Sequence, residues 1–292
     1  MHHDSFFRAE LKASASGQEP VPNQELTPGQ TLTPESASAP GPARILTVRA
    51  QSGLSGDMLL AGLAALADLD AAALEALVEE LRLPVMRGCL RLEERSVRHV
   101  AGVGCAINLP HEHSHRTFAD IRTLIENSAL PERAARTALS AFGLLAGAEA
   151  AVHGAAVSDV TFHEVGALDS ILDICLSCRI FAMLAPARFV CSPLPLADGA
   201  IHCAHGLLPA PAPAVLRLLT GVPVRAFAGQ GETVTPTAIC LLKALGADFG
   251  PWPEMLVERT LISYGSKVFA DAPNGALWAM GAAAGAVGVV DP

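Results

Sequence analysis

Aromatic side chains are scarce in this chain: Phe, Trp and Tyr together make up 4% of the 292 residues, with a single tyrosine. A core with few rings has to be filled by Ala, Leu and Val. That suits closely packed helices against a sheet better than a β-sandwich. Positive charge is also short, with 20 Lys and Arg against 29 Asp and Glu and a formal net charge of −9. Nonspecific binding to nucleic acid relies on Lys and Arg neutralising phosphates, so no nucleic-acid partner is expected. A small anionic ligand in a local pocket stays open. No signal peptide is visible, since Met1 to Glu10 mixes His, Asp, Arg and Glu without a continuous apolar stretch. The apolar run from Ala276 to Val290 is broken by glycines and too short for a comfortable membrane span. A soluble, cytoplasmic protein with no membrane partner is expected.

The seven cysteines are an odd number, and Cys175, Cys178 and Cys240 sit inside apolar runs. They read as buried free thiols in a reducing cytosol, not as a disulfide framework. Cys175 and Cys178 form a C-x-x-C pair, but in a helical pattern without a βαβ redox context, so core thiols are expected there.

About half of the residues are apolar, enough for a sizeable core. From about Ala13 to Pro42 the chain is rich in Ser, Pro, Gln, Glu and Thr, and it cannot bury enough surface there to offset its ordering entropy. A disordered extension is expected. A strand is predicted at Arg44–Arg49, then a Gly/Ser loop and helices over Met58–Leu66 and Ala71–Leu81. Two strands, Cys89–Val97 and Val100–Leu109, join through a turn at Arg98-His99. Helices follow over Thr117–Asn127, from Pro131 to Val152, and over Ala167–Leu184. A strand at Phe189–Cys191, helices at Ala214–Leu219 and Thr237–Leu245, and a strand at Leu256–Ser263 complete the pattern. Alternating helices and strands predict an α/β class, a mixed sheet with packed helices.

Eight of the ten histidines fall between His99 and His205, and His is a common ligand for borderline metals. Five stretches carry candidate chemistry. Ser52-Gly53-Leu54-Ser55-Gly56-Asp57 joins a strand to a helix. Ser55 and Gly56 can present backbone N–H groups to an anion there, and Asp57 can cap the helix or hold a cation. In His111-Glu112-His113-Ser114-His115, alternating imidazoles point to one side if the segment is extended, and His115 is the foremost candidate ligand. His163 and Glu164 precede Asp169 and Asp173, which are four apart on one face of an apolar helix. Carboxylates are costly there unless paired, bonded or bound to metal. His205 stands before a run of alternating prolines. Gly231-Glu232-Thr233-Val234-Thr235-Pro236-Thr237 leads into a helix, where Thr235 or Thr237 can cap or take an anion and Glu232 can serve as acid or base. Each stretch also has a plain structural reading as a turn, a solvated loop or a cap.

Taken in order, these stretches resemble one family. Ser-Gly-Leu-Ser-Gly-Asp-Met, His-Arg-x-x-x-Asp-Ile at His115 to Ile121, and Glu149-Ala150 with Val152-His153-Gly154 all match. So do Phe162 to Asp173, Ser-Pro-Leu-Pro-Leu at Ser192 to Leu196, the His-Gly-x-Leu-Pro-Ala-Pro-Ala-Pro run from His205, and Gly231 to Thr237. The pattern, running from about Arg44 to Gly265, is similar to that of the LarC-type nickel-insertion proteins that complete the nickel-pincer cofactor. The resemblance implies nickel insertion into pyridinium-3,5-bisthiocarboxylic acid mononucleotide, a cyclometallation that uses CTP with Mn(2+) or Mg(2+). The downstream client would be a lactate-racemase-type enzyme, and a homo-oligomer is expected. On this reading Asp57, His115, His163, Asp169, Asp173 and His205 handle the metal. His163, Glu164 and Glu232 carry acid–base work, and Ser55, Gly56, Thr235 and Thr237 hold the cofactor precursor.

The chain departs from the family pattern in three places. Arg49 stands where family members often have an acidic residue. Thr-Val-Thr-Pro-Thr-Ala-Ile-Cys replaces a Gly-Ala-Ala step after Glu232. The family also continues into a later domain that carries its CTP site. The expected plan is therefore a disordered 1–43, a metal-handling domain over 44–265, and a 266–292 remnant of the linker to that later domain, the chain being a natural short form, a split subunit completed by a separate C-terminal partner chain, or a degenerate member. Two other readings stand beside the insertase: a non-catalytic carrier of nickel or of the cofactor precursor, and a metal-dependent hydrolase.

Overall fold

The computed structural model describes residues 43–110, 116–162, 167–203 and 206–284. In chain order they form β1 (Arg44–Ala50), α1 (Gly56–Leu66), α2 (Ala71–Glu79), β2 (Leu90–Val97), β3 (Val100–Ile107), β4 (Arg116–Thr117), α3 (Phe118–Glu126), α4 (Glu132–His153), β5 (Thr161–Phe162) and α5 (Leu168–Leu184). Then come β6 (Arg188–Cys191), β7 (Leu194–Leu196), β8 (Ala200–Cys203), β9 (Gly206–Pro209), α6 (Pro213–Leu218), β10 (Val224–Ala226), α7 (Pro236–Ala244), β11 (Asp248–Phe249), β12 (Met255–Ser263) and β13 (Ala276–Ala283). The expected α/β class with a mixed sheet is what forms.

The main sheet has seven strands in the order β11-β6-β1-β13-β12-β3-β2. β1 pairs in parallel with β6, and β6 with β11. β13 runs antiparallel to both of its neighbours, β1 and β12, and β12 is parallel to β3. Five strands therefore share one direction, and β13 and β2 oppose them. The β2–β3 hairpin closes at Arg98 and His99, both at positive φ, the conformation that a two-residue turn matching strand twist requires.

β13 was not predicted as a strand. Its stretch fell inside the segment read as a linker, yet Ala276–Ala283 sits mid-sheet with nearly every residue buried. Its sequence, Ala-Leu-Trp-Ala-Met-Gly-Ala-Ala, shows no alternation because a central strand is covered on both faces and has no solvent side to mark. The small residues let α1 approach closely. Gly62 of α1 packs against the indole of Trp278, where a Cβ would overlap the ring, and the Trp278 Nε1–H donates to Ser263 Oγ at 2.9 Å.

Helix α5 is buried from Ile171 to Cys178 without interruption, as an apolar-all-round helix must be. It packs against α1, α2, α4 and α7. Thr117 and Asp120 form a reciprocal capping box at α3. Helix α1 begins two residues earlier than expected, at Gly56, because Ser55 rather than Asp57 takes the N-cap position. The six cysteines of known pairing state, Cys89, Cys105, Cys175, Cys178, Cys191 and Cys240, are all free. Among the described residues, no helix is long and apolar enough to cross a membrane.

Candidate functional site

Parallel-type sheets open a crevice beyond the carboxyl ends of their strands, where loops diverge and helices begin. A cavity of about 700 Å³ lies at that place, beyond the ends of β1, β12 and β3. Ser52 to Asp57 follow β1, Leu109 and Pro110 follow β3, and Gly265 to Lys267 follow β12. Asn274 and Gly275, just before β13, come from the same end because that strand is antiparallel.

The helices α1, α5 and α7 all start at this cavity. Each N-terminus carries a partial positive charge and N–H groups without helical partners. The loops leading into α1 and α7 are pinned together. The Leu54 N–H donates to the Thr233 carbonyl at 2.9 Å, and the Thr235 N–H donates to the Leu54 carbonyl at 3.1 Å. Gly53 is required at this crossing, since a Cβ there would strike the Thr233 carbonyl oxygen. Thr235 caps α7, its hydroxyl accepting from the Ala238 N–H at 3.2 Å.

Three aspartates border the space. Asp57, in the first turn of α1, accepts from the Ser55 hydroxyl. Asp169, in the first turn of α5, is exposed and accepts from the Ser170 N–H at 2.7 Å. Asp173, one turn further along α5, is 9% exposed, and its Oδ1 has no hydrogen-bond partner. Burial raises its pKa well above the usual carboxylate range, and the nearby charges of Asp57 and Asp169 add to the rise. Gly56 makes room for this carboxyl, because a Cβ at that position would stand 2.5 Å from Asp173 Oδ2 and 2.8 Å from Thr237 Cγ2.

Each candidate that lies within the described residues borders this one cavity: Ser55, Gly56, Asp57, Asp169, Asp173, Glu232, Thr235 and Thr237. His115, His163, Glu164 and His205 lie outside the described residues, as does the rest of the 111–115 segment. Among the described residues no three His, Cys, Asp or Glu side chains form a group that could hold a metal ion. Arg49 does not line the cavity. Its guanidinium donates to the carbonyls of Gly250 at 2.9 Å and Pro251 at 3.2 Å and lies 5.5 Å from the Trp252 ring. It holds the turn after β11, and its burial lowers its pKa.

Several cavity residues were not anticipated. Lys267 is the basic residue among the described lining side chains; its ammonium donates to the Glu232 carbonyl at 2.7 Å and lies 4.7 Å from the Phe269 ring. Asn274 closes the same loop by bonding the N–H and carbonyl of Phe269, each at 2.8 Å. Cys105 lines the wall from β3. The loop was read as connector, and a single cysteine in a Val/Gly/Ala strand gave no signal of its own.

The family model described as nickel insertion protein matches residues 46–285, which takes in β13. A protein of Myxococcus xanthus named for nickel insertion is 43% identical over 235 residues, 79% of this chain and 59% of that protein. One of Geobacter metallireducens with the same name is 40% identical over 244 residues, 83% of this chain and 62% of its own. The pyridinium-3,5-bisthiocarboxylic acid mononucleotide nickel insertion protein of Staphylococcus epidermidis is 36% identical over 226 residues, 77% of this chain and 56% of its own. The chain thus spans about three fifths of the length of these relatives. No solved structure matches it. With the family pattern covering the sheet and every loop around the cavity, the chain belongs to the nickel insertion protein family.

Proposed function

We propose that this chain inserts nickel into pyridinium-3,5-bisthiocarboxylic acid mononucleotide, with the cavity at the carboxyl ends of β1, β12 and β3 as the place where ion and substrate meet. The observation that carries this reading is Asp173. A buried carboxyl with an unpartnered oxygen is costly, and a divalent cation would supply both the missing partner and the missing charge. The family name supplies the ion.

The residues divide the work by chemistry. Asp173, Asp57 and Asp169 offer hard oxygen donors from two helix starts. The N–H groups opening α1 and α7, with Thr235 and Thr237, suit the anionic phosphate or thiocarboxylates of the mononucleotide, and Lys267 adds a fixed positive charge. Forming a nickel–carbon bond at the ring requires the ring C–H to lose its proton. Glu232, which borders the cavity, is proposed to accept it, and His163 and Glu164 are proposed for the same task. His115 and His205 are proposed as further nickel ligands. CTP with Mn(2+) or Mg(2+) would drive the reaction, and the region of the relatives beyond the match is proposed to supply that part. Free cysteines are consistent with action in a reducing cytoplasm.

The test mixes the chain with nickel, CTP, manganese and the bisthiocarboxylate mononucleotide, with and without the remaining region of a relative. Mass spectrometry should find the nickel-containing mononucleotide, and Asp173→Asn should abolish it. Full product formation by Asp173→Asn would refute the assignment.

A further inference from the structure

Cys105, Ile107 and Leu109 are alternate residues along β3 and its continuation, and all three face the cavity. Cys105 is a free thiol among otherwise apolar neighbours on that wall. It is close enough to Asp173 and Asp57 that their charges, added to burial, push its pKa up. Asp173 belongs to α5 and Cys105 to β3, so two donors of unlike softness reach one space from different elements. The unpartnered Oδ1 of Asp173, buried and bordering that space, independently marks the place for a ligand.

We propose that Cys105 and Asp173 together form the receiving site for nickel in this cavity, one sulfur and one oxygen, with the sulfur selecting nickel over magnesium and manganese. This rests on reading the cavity as the nickel-handling site. Sulfur donors favour borderline and soft ions, whereas magnesium and manganese keep to oxygen. On binding, the Cys105 S–H bond breaks, its proton passes to water, and the sulfur electron pair forms the bond to nickel in place of a bound water. No electron is gained or lost. Two protein donors hold the ion loosely, so a substrate offering two thiocarboxylate sulfurs can take it by exchanging one sulfur for another, and the Cys105 thiolate recovers its proton as it leaves.

The experiment titrates the 292-residue chain with nickel(II) chloride, with and without excess manganese(II). It follows near-ultraviolet absorption for thiolate-to-nickel charge transfer and measures affinity by calorimetry. The wild type should develop the band. Cys105→Ser should lose it and lose about tenfold or more of the preference for nickel over manganese, while Asp173→Asn should weaken both ions. Circular dichroism checks folding, and Cys105→Ala replaces the serine variant where serine lowers the melting temperature. Nickel bound by the wild type without the band, or a band and preference that survive in Cys105→Ser, overturns the sulfur assignment alone. A wild type that binds no nickel overturns the cavity reading and this inference together.

Discussion

Helix α5 draws two charged side chains into the protein and treats them in opposite ways. Arg179, in its second half, is paired bidentately with Glu80, at 2.7 Å and 3.0 Å. Asp173, six residues earlier, is more deeply buried, faces like charges at Asp57 and Asp169, and leaves Oδ1 unpaired. One helix thus pairs its charged group where it packs on the scaffold and leaves a carboxyl oxygen unpartnered where it borders the cavity. Native folds break their own packing rules mainly at working sites, and the contrast marks the candidate site more sharply than the density of ligand-type residues does.

That contrast can be broken deliberately. Asp173→Ala should lower nickel affinity at least about a hundredfold, the upper range for losing even an outer-shell partner of a metal; isothermal titration would show it, and an unchanged affinity would make the unpaired oxygen incidental. Gly56→Ala pushes a methyl into the space of Asp173 Oδ2 and Thr237. It should destabilise the fold by roughly 1–3 kcal/mol and weaken nickel binding, read by denaturant unfolding and titration. Arg179→Ala should cost about 1 kcal/mol, as expected for a partly exposed pair, while nickel affinity stays at the wild-type value. A fall in affinity there would erase the division between scaffold and site.

The smallest expected effect is in pH. The folded pKa of Asp173 is raised, so the folded state holds this proton more tightly than the unfolded chain. Its contribution is fully present below the ordinary carboxylate range and is lost as pH rises through the raised folded value. Asp173→Asn removes that loss. Its melting temperature without metal should gain on the wild type as pH rises from about 4 towards neutrality, by about 2–4 °C per kcal/mol. Parallel melting curves would show that Asp173 is not strained in the free protein.

The legible parts of the chain were those with a local period or a local stop signal. α3 was readable from Thr117 and its apolar spacing, α5 from a long, mostly apolar stretch after Ala167, and the β2–β3 hairpin from its two runs around Arg98-His99. β13 was not readable, since a strand buried on both faces and half of it Ala has neither alternation nor β-branched side chains. The cavity was legible only in pieces. Asp57, Asp173, Glu232 and Thr235 each stood out beside a helix start or in an apolar helix, but Cys105 and Lys267 carry no local anomaly. A thiol in a strand and a lysine in a polar loop look ordinary until another element is packed beside them.

The order of the helices and of strands β1, β2, β3, β6 and β12, the free thiols and the acidic interruption of α5 follow from residue spacing and side-chain chemistry, because those depend on neighbours a few positions away. That Asp57, Asp173, Glu232 and Cys105 border a single space was decided by the tertiary structure alone. β13 runs against β1 and β12 and brings the 265–275 loop back to the end of the sheet where α1, α5 and α7 begin. Strand pairing between residues more than two hundred positions apart is set by how the whole core buries its apolar surface, and no local pattern encodes it.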